Sequence, residues 1–179
     1  MKFDVRFHGP FRVATGLAGR GSDVTVDPRN PLPAPSLKGL MRAAAKQILP
    51  RQERLRNEVF GTARTPSPWS WSSAVFLEST TRRRARVAID EATGTAVPEA
   101  LQFAEEVWAE TATFSIDQQV HLGDEQRRQH ELVLLASAHA VHSLGGNRRR
   151  GLGWVGIRGT DPILDGGRLE AVVDLAARQ

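Results

Sequence analysis

The chain has 179 residues, 40% of them hydrophobic and 25% charged; this suits one folded domain (1–179) with its own core, and the absence of cysteine excludes disulfides and thiolate metal sites. No apolar run approaches the ~18 residues of a membrane helix, and the charges scattered through "MKFDVRFHG" exclude a signal peptide, so a cytoplasmic protein is expected. The net charge of +4 is unevenly spread: residues 1–90 carry 16 Lys/Arg against 7 Asp/Glu and residues 91–179 carry 8 against 13, which fits either a polyanionic partner or a basic solvated face.

The first element is "KFDVRFH", whose strict alternation predicts a half-buried strand with Phe3, Val5 and Phe7 inward. Residues 15–35 are rich in Gly, Pro, Asp and Asn and read as a long loop, a kind of segment that often carries function. Ser36 reads as the N-cap of a helix that Pro50 stops. Leu37, Leu40, Met41, Ala44 and Ile48 share one face of it, and Lys38, Arg42 and Lys46 form a uniformly basic stripe on another. Residues 50–86 read as an insertion: a short polar helix, a Pro/Ser turn, and a strand at 69–77 linked to one at 85–89. The connector "ESTTRRRAR" between them holds Arg82, Arg83, Arg84 and Arg86. "LQFAEEVW" and "TATFSIDQQVHL" predict a meander, Asp124–Leu144 a second long helix, and Trp154–Ile157 a strand, with a last strand or short helix at 168–175. Two helices on one antiparallel sheet make an α+β layer, and the order fits a ferredoxin-like (RRM-like) fold with inserted strands.

Several candidate chemistries stand beside simpler explanations. Asp23 and Asp27, four apart in a basic loop, suit a magnesium ion beside a phosphodiester, or are ordinary turn residues. His139 and His142 lie three apart without an identifiable further ligand, and His139 reads as a core histidine. His121 suits a general base, yet no nucleophile motif accompanies it. The pattern G-x-x-x-x-G-K-[ST] is absent, which argues against nucleotide hydrolysis. Tyrosine is also absent, so base stacking is not the obvious mode of recognition. "GGNRRRGLGWVGI" at 145–157 reads as a helix end capped at Gly145. Its three mutually repelling arginines make sense where an anion compensates them, and its small residues let phosphate approach the backbone.

Three stretches, in this order, resemble the RAMP-type CRISPR-associated proteins: "PLPAPSLKGLMRAAA", "RVAIDEATGTAVPEALQFAEEVWAETATFSI" and "SLGGNRRRGLGWVGI". The resemblance is strongest to the backbone subunit of type III effector complexes in antiviral defence. It implies a ferredoxin-like core whose first helix and preceding loop grip guide RNA, matching Ser36, Lys38, Arg42 and Lys46. The glycine-rich loop matches Gly146, Arg148, Arg149, Arg150 and Gly151, and Arg82, Arg83 and Arg84 are expected to add phosphate contacts. The implied partners are guide RNA, target RNA, other effector subunits and further copies along the RNA. The family also has a hairpin thumb that separates the guide–target duplex, and a loop aspartate that supports Mg2+-dependent cutting of target RNA.

The sequence departs from that pattern in ways that bear on cleavage. Pro35 and Ser36 stand where Gly-Ser-Ser usually does, Ala18 follows "TGL" in place of histidine, and the loop before the first helix is short. Asp27 matches a non-catalytic position and only Asp23 is left to substitute, so RNA binding carries over better than cleavage. Two other readings stay open: a guide-processing endoribonuclease working without metal through His8 or His121, and a structural subunit that binds only protein neighbours.

Overall fold

The alternation in "KFDVRF" produces strand β1 (Lys2–Phe7), with Phe3, Val5 and Phe7 buried and the residues between them exposed. In the computed structural model, residues 1–19 and 21–177 are described, and the side chain of Arg149 lies outside the described part. β1 is central. β6 (Thr111–Gln118) pairs with one edge of it and β7 (Val155–Asp161) with the other, both antiparallel. β2 (Trp69–Trp71) and β3 (Val75–Phe76) both pair with the far edge of β6. The order is β2-β6-β1-β7. Helix α1 (Ala34–Ile48) falls between β1 and β2 in the chain, and α3 (Asp124–His139) between β6 and β7. Strand order and helix placement together make the fold ferredoxin-like.

The core lies between the sheet and these two helices. Phe3 stacks on Phe114 with centroids 4.9 Å apart. Leu37, Met41 and Ala45 of α1 and Val133, Leu134 and Leu135 of α3 are fully buried with them. Each of the larger side chains among these, valine, leucine, methionine and phenylalanine, contributes about 1.5–3 kcal/mol through removal from water. Two further helices complete the layer: α2 (Glu53–Phe60), which buries Leu55, Val59 and Phe60, and α4 (Gly166–Ala177), which packs on α3 through Val172 and Leu175.

A second sheet is built from β4 (Thr80–Arg86) and β5 (Gln102–Trp108), an antiparallel hairpin inserted between β3 and β6. The free edge of β5 is not left open. Phe11 and Val107 exchange backbone bonds at 2.9 and 2.8 Å, and the Glu105 amide donates to the Val24 carbonyl at 2.9 Å. The loop that follows β1 is thereby zipped along the hairpin.

Several sequence expectations are revised here. The arginine connector is itself a strand, β4, and every residue of it but Arg86 is exposed. With solvent on both faces, no hydrophobic alternation marked it. Ser36 is not the N-cap: Pro33 holds that place with extended backbone, and Ser36 lies inside the first turn, its amide donating to the Pro33 carbonyl. Helix α3 stops at His139, five residues early, because Val141 and Leu144 turn inward into the core. His139 is exposed; the core histidine is His130, whose Nδ1 accepts from the Trp69 indole at 3.1 Å. The stretch at 69–77 is broken into β2 and β3, and the C-terminal segment is helical.

Candidate nucleic-acid interface

The glycine-rich loop is shaped by close approaches that only glycine permits. Gly145 has φ +74° and lies against the Arg12 carbonyl, so a Cβ there would collide with it. Gly153, at φ +73°, is packed in the same way on the Leu144 carbonyl. Gly145 is thus a loop residue rather than a helix cap, since α3 has ended six residues earlier. The Gly146 amide donates to the Arg12 carbonyl at 2.8 Å and the Gly153 amide to the Pro10 carbonyl at 2.8 Å. Asn147, in the left-handed region at φ 59°, opens a 3-10 turn over Arg148–Arg150. Arg148, Arg150 and Gly151 are exposed.

The hairpin brings a second set of arginines to this loop. Glu106 on β5 is buried and accepts from Arg12 at 3.2 Å and from Arg86 at 2.9 Å, while Arg84 approaches its other oxygen at 3.5 Å. With its amide oxygen turned toward the guanidiniums, Asn147 accepts from Arg12 at 3.2 Å and from Arg86 at 2.7 Å. The Arg12 side chain is only 4% exposed and also donates to the Glu105 carbonyl at 2.9 Å. Burial, then the charge of Arg86, pulls its guanidinium below the ordinary value, against the pull of Glu106. Arg82 and Arg83 stack on Trp108 and Phe103 at 5.3 and 5.2 Å from the ring centroids. Arg83 also reaches the Gly21 carbonyl at 3.4 Å on the opposite face of the hairpin.

The basic row of α1 occupies a separate place. Lys38 lies 5.1 Å from the Trp71 ring centroid; burial and the neighbouring Arg42 push its ammonium below the usual lysine value. Arg42 donates to Asn57 of α2 at 3.3 Å, and Arg42, Lys46 and Arg56 line a cleft of about 550 Å³ between the two helices. Among the described residues, no hydrogen bond or ion pair joins this row to the glycine-rich loop.

Both candidate aspartates have structural duties. Asp23 accepts from the Phe103 amide at 2.8 Å while its own amide donates to the Phe103 carbonyl at 2.7 Å, clamping the loop to β5. Asp27 closes an Asx turn by accepting from the Arg29 amide at 2.9 Å. Among the described residues, no three His, Asp or Glu side chains gather closely enough to hold a metal ion. His8 is exposed at the end of β1, edge-on to Trp154 with centroids 5.8 Å apart, and His121 is exposed before α3.

Arg12, Glu106 and Asn147 had no signal in the sequence. Arg12 sits in an apolar stretch, Glu106 is one of two adjacent glutamates, and only the pairing of segments 94 residues apart brings them together. The geometry offers guanidinium and ammonium groups at several points of one molecule, the donors suited to phosphate oxygens.

A search of curated proteins gives no match. Among the solved structures that share the fold are two of type III-B complexes. One, described as the type III-B Cmr-beta cryo-EM structure of the apo state, aligns with a TM-score of 0.65 at 11% identity, over 88% of this chain and 95% of that one. The other, Cmr-beta bound to cognate target RNA, aligns with a TM-score of 0.66 at 13% identity over the same shares. No described helix is long and apolar enough to cross a membrane. The RAMP superfamily profile matches residues 8–156, most of the chain and both halves of the interface just described. The chain therefore belongs to the RAMP superfamily.

Proposed function

We propose that this protein is an RNA-binding subunit of a type III-like CRISPR effector, holding the guide RNA through its phosphates. The observation that carries the reading is the junction at Arg86 and Asn147, where an arginine strand meets an arginine-bearing glycine loop. Two positive runs more than 60 residues apart in sequence are joined there by one side-chain contact. Arg82, Arg84, Arg148 and Arg150 contact phosphate on one side of the hairpin and Arg83 on the other, while Lys38, Arg42 and Lys46 make a second, separate basic surface along α1. Contacts of this kind position a strand without reading its bases, which suits a complex where base pairing supplies specificity. The fold shared with Cmr-beta chains, including one in a complex with target RNA, supports the same assignment and the neighbours it entails: other effector subunits and further copies along the RNA.

The test is binding of the purified protein to single-stranded RNA across a salt series. Affinity that falls steeply with salt supports the reading. Co-purification with protein neighbours but no nucleic acid would make the chain a purely structural subunit.

A further inference from the structure

The helices α1 and α3 bury one face of the main sheet, and the outward side chains of β1 and β7 stand on the other in opposed pairs. Asp4 faces Arg158 and Arg6 faces Gly156. One step on, His8 faces Trp154, whose carbonyl accepts from the His8 amide at 2.9 Å. A groove of about 640 Å³ runs over this face and onto Thr111 and Thr113 of β6.

Gly156 is the gap in the array. Its φ lies outside the left-handed region, and a Cβ built on it would meet only His8 Nε2, at 3.9 Å. Neither backbone nor packing therefore requires glycine here. Glycine inside a strand weakens it and marks a place where a ligand approaches closely. The gap is bounded on one side by an aromatic pair, His8 edge-on to Trp154 with centroids 5.8 Å apart and Trp154 68% exposed. Arg158 bounds it on the other side, and Arg6 stands across from it. Among the described residues, neither guanidinium has a hydrogen-bond or ion-pair partner, although Asp4 lies directly opposite Arg158. Two arginines against one carboxylate leave the array a positive excess.

We propose that this groove is a nucleotide-binding site, with the base over Gly156 against the His8–Trp154 pair and the phosphate held by Arg6 and Arg158. A planar base is held by an aromatic neighbour, and phosphate oxygens by unengaged guanidiniums. This face supplies both, within the roughly 300–1,000 Å³ of ordinary small-molecule sites. Thr111 and Asp4 offer partners to the ribose hydroxyls. The site shares no residue with the phosphate contacts proposed above and does not rest on them. It holds a ring as well as a charge. A free nucleotide and one nucleotide of an RNA strand carry the same chemistry.

Calorimetric titration of the full chain tests this, with AMP as the free probe and oligoadenylate as the strand. Gly156→Val fills the gap with a residue that strands favour. It is expected to abolish AMP binding with Tm at or above the parent value. Trp154→Ala, at an exposed position, is expected to weaken AMP roughly tenfold through the lost stacking. Arg158→Gln is expected to bring AMP down toward the affinity of adenosine. If oligoadenylate affinity is unmoved by Gly156→Val while AMP binding is lost, the ligand is the free nucleotide. If oligoadenylate weakens in the same variant, the ligand is a nucleotide of the strand. Both probes binding Gly156→Val and Trp154→Ala as they bind the parent would overturn the proposal, and Trp154→Ala alone decides it should Gly156→Val not fold. Inorganic phosphate binding as tightly as AMP overturns it too, as does a protein neighbour that covers this face while neither probe responds to the variants. Arg148→Ala is expected to leave AMP binding at the parent value, so failure of the RNA-binding reading would be seen separately.

Discussion

Arg12 and Glu106, 94 residues apart in the chain, meet as an ion pair at 3.2 Å with 4% and 1% of their side chains exposed. The pair ties the segment after β1 to the hairpin, and the Arg12 backbone in turn supports Gly145 and Gly146. A buried pair of this kind is weak evidence of net stabilisation, yet removing one partner is expensive because the other stays behind as an isolated charge. Here the partner retains Arg86, which softens the loss. Arg12→Met is expected to cost about 3 kcal/mol in urea unfolding. A loss under about 1 kcal/mol would contradict the geometry.

His130 gives the protein an acid sensitivity. Its Nδ1 accepts from Trp69, so the neutral ring is the form the core holds, and burial lowers its pKa from the ordinary 6.5 despite the opposing charge of Glu58. A depressed folded pKa means that stability is fully present above about 6.5 and is lost as pH falls toward the folded value. Tm should be flat from pH 8 to 7 and fall below pH 6.5. His130→Leu should cost about 1–2 kcal/mol at pH 7.5, through the orphaned indole N–H, while flattening the acid limb. An acid limb unchanged in that variant would assign the effect to another group.

The glycine-rich loop should fail at two positions in particular. Gly145→Ala and Gly153→Ala each force a Cβ at positive φ into a carbonyl oxygen. The backbone conformation alone costs about 1–3 kcal/mol for a non-glycine residue, and the collision adds to it. Gly146→Ala, at ordinary φ with open space around its Cβ, should be tolerated. Equal melting temperatures for all three variants would contradict the described loop.

Asp23→Ala should loosen the loop, not abolish a reaction. Losing the acceptor for the Phe103 amide is expected to cost about 1 kcal/mol; Asp27→Ala removes only an exposed Asx turn. Limited proteolysis should cut the 15–27 segment faster in Asp23→Ala. If the assembled complex cuts target RNA and Asp23→Ala stops it without changing RNA affinity, the aspartate has a chemical role beyond its clamp.

Much of the core was legible because its periodicities are local. Phe3, Val5 and Phe7 alternate, and Leu37, Met41 and Ala44 repeat at helical spacing, and both patterns survive folding. β4 was missed for a physical reason. "TTRRRAR" has solvent on both faces and is held by backbone pairing with β5, which leaves no trace in hydrophobicity. His139 is exposed, against expectation, and His130 is the core histidine, because the buried arc of α3 runs through His130, Leu134 and Ala138, a phase the weak amphipathicity of the helix does not announce. The arginines at 148–150 and 82–84 were visible as charge, but their junction through Arg86 and Asn147 depends on the tertiary fold.

The central claim is that the arginine surface holds RNA phosphates, and the salt dependence of binding to single-stranded RNA tests it most directly. A slope of log K against log salt between about −2 and −3.5 corresponds to roughly three to five phosphate contacts on a single strand. That slope is the predicted result, reduced by Arg148→Ala, Arg150→Ala or Lys38→Ala with the fold intact. An affinity that does not change with salt, or a slope untouched by all three substitutions, would contradict it.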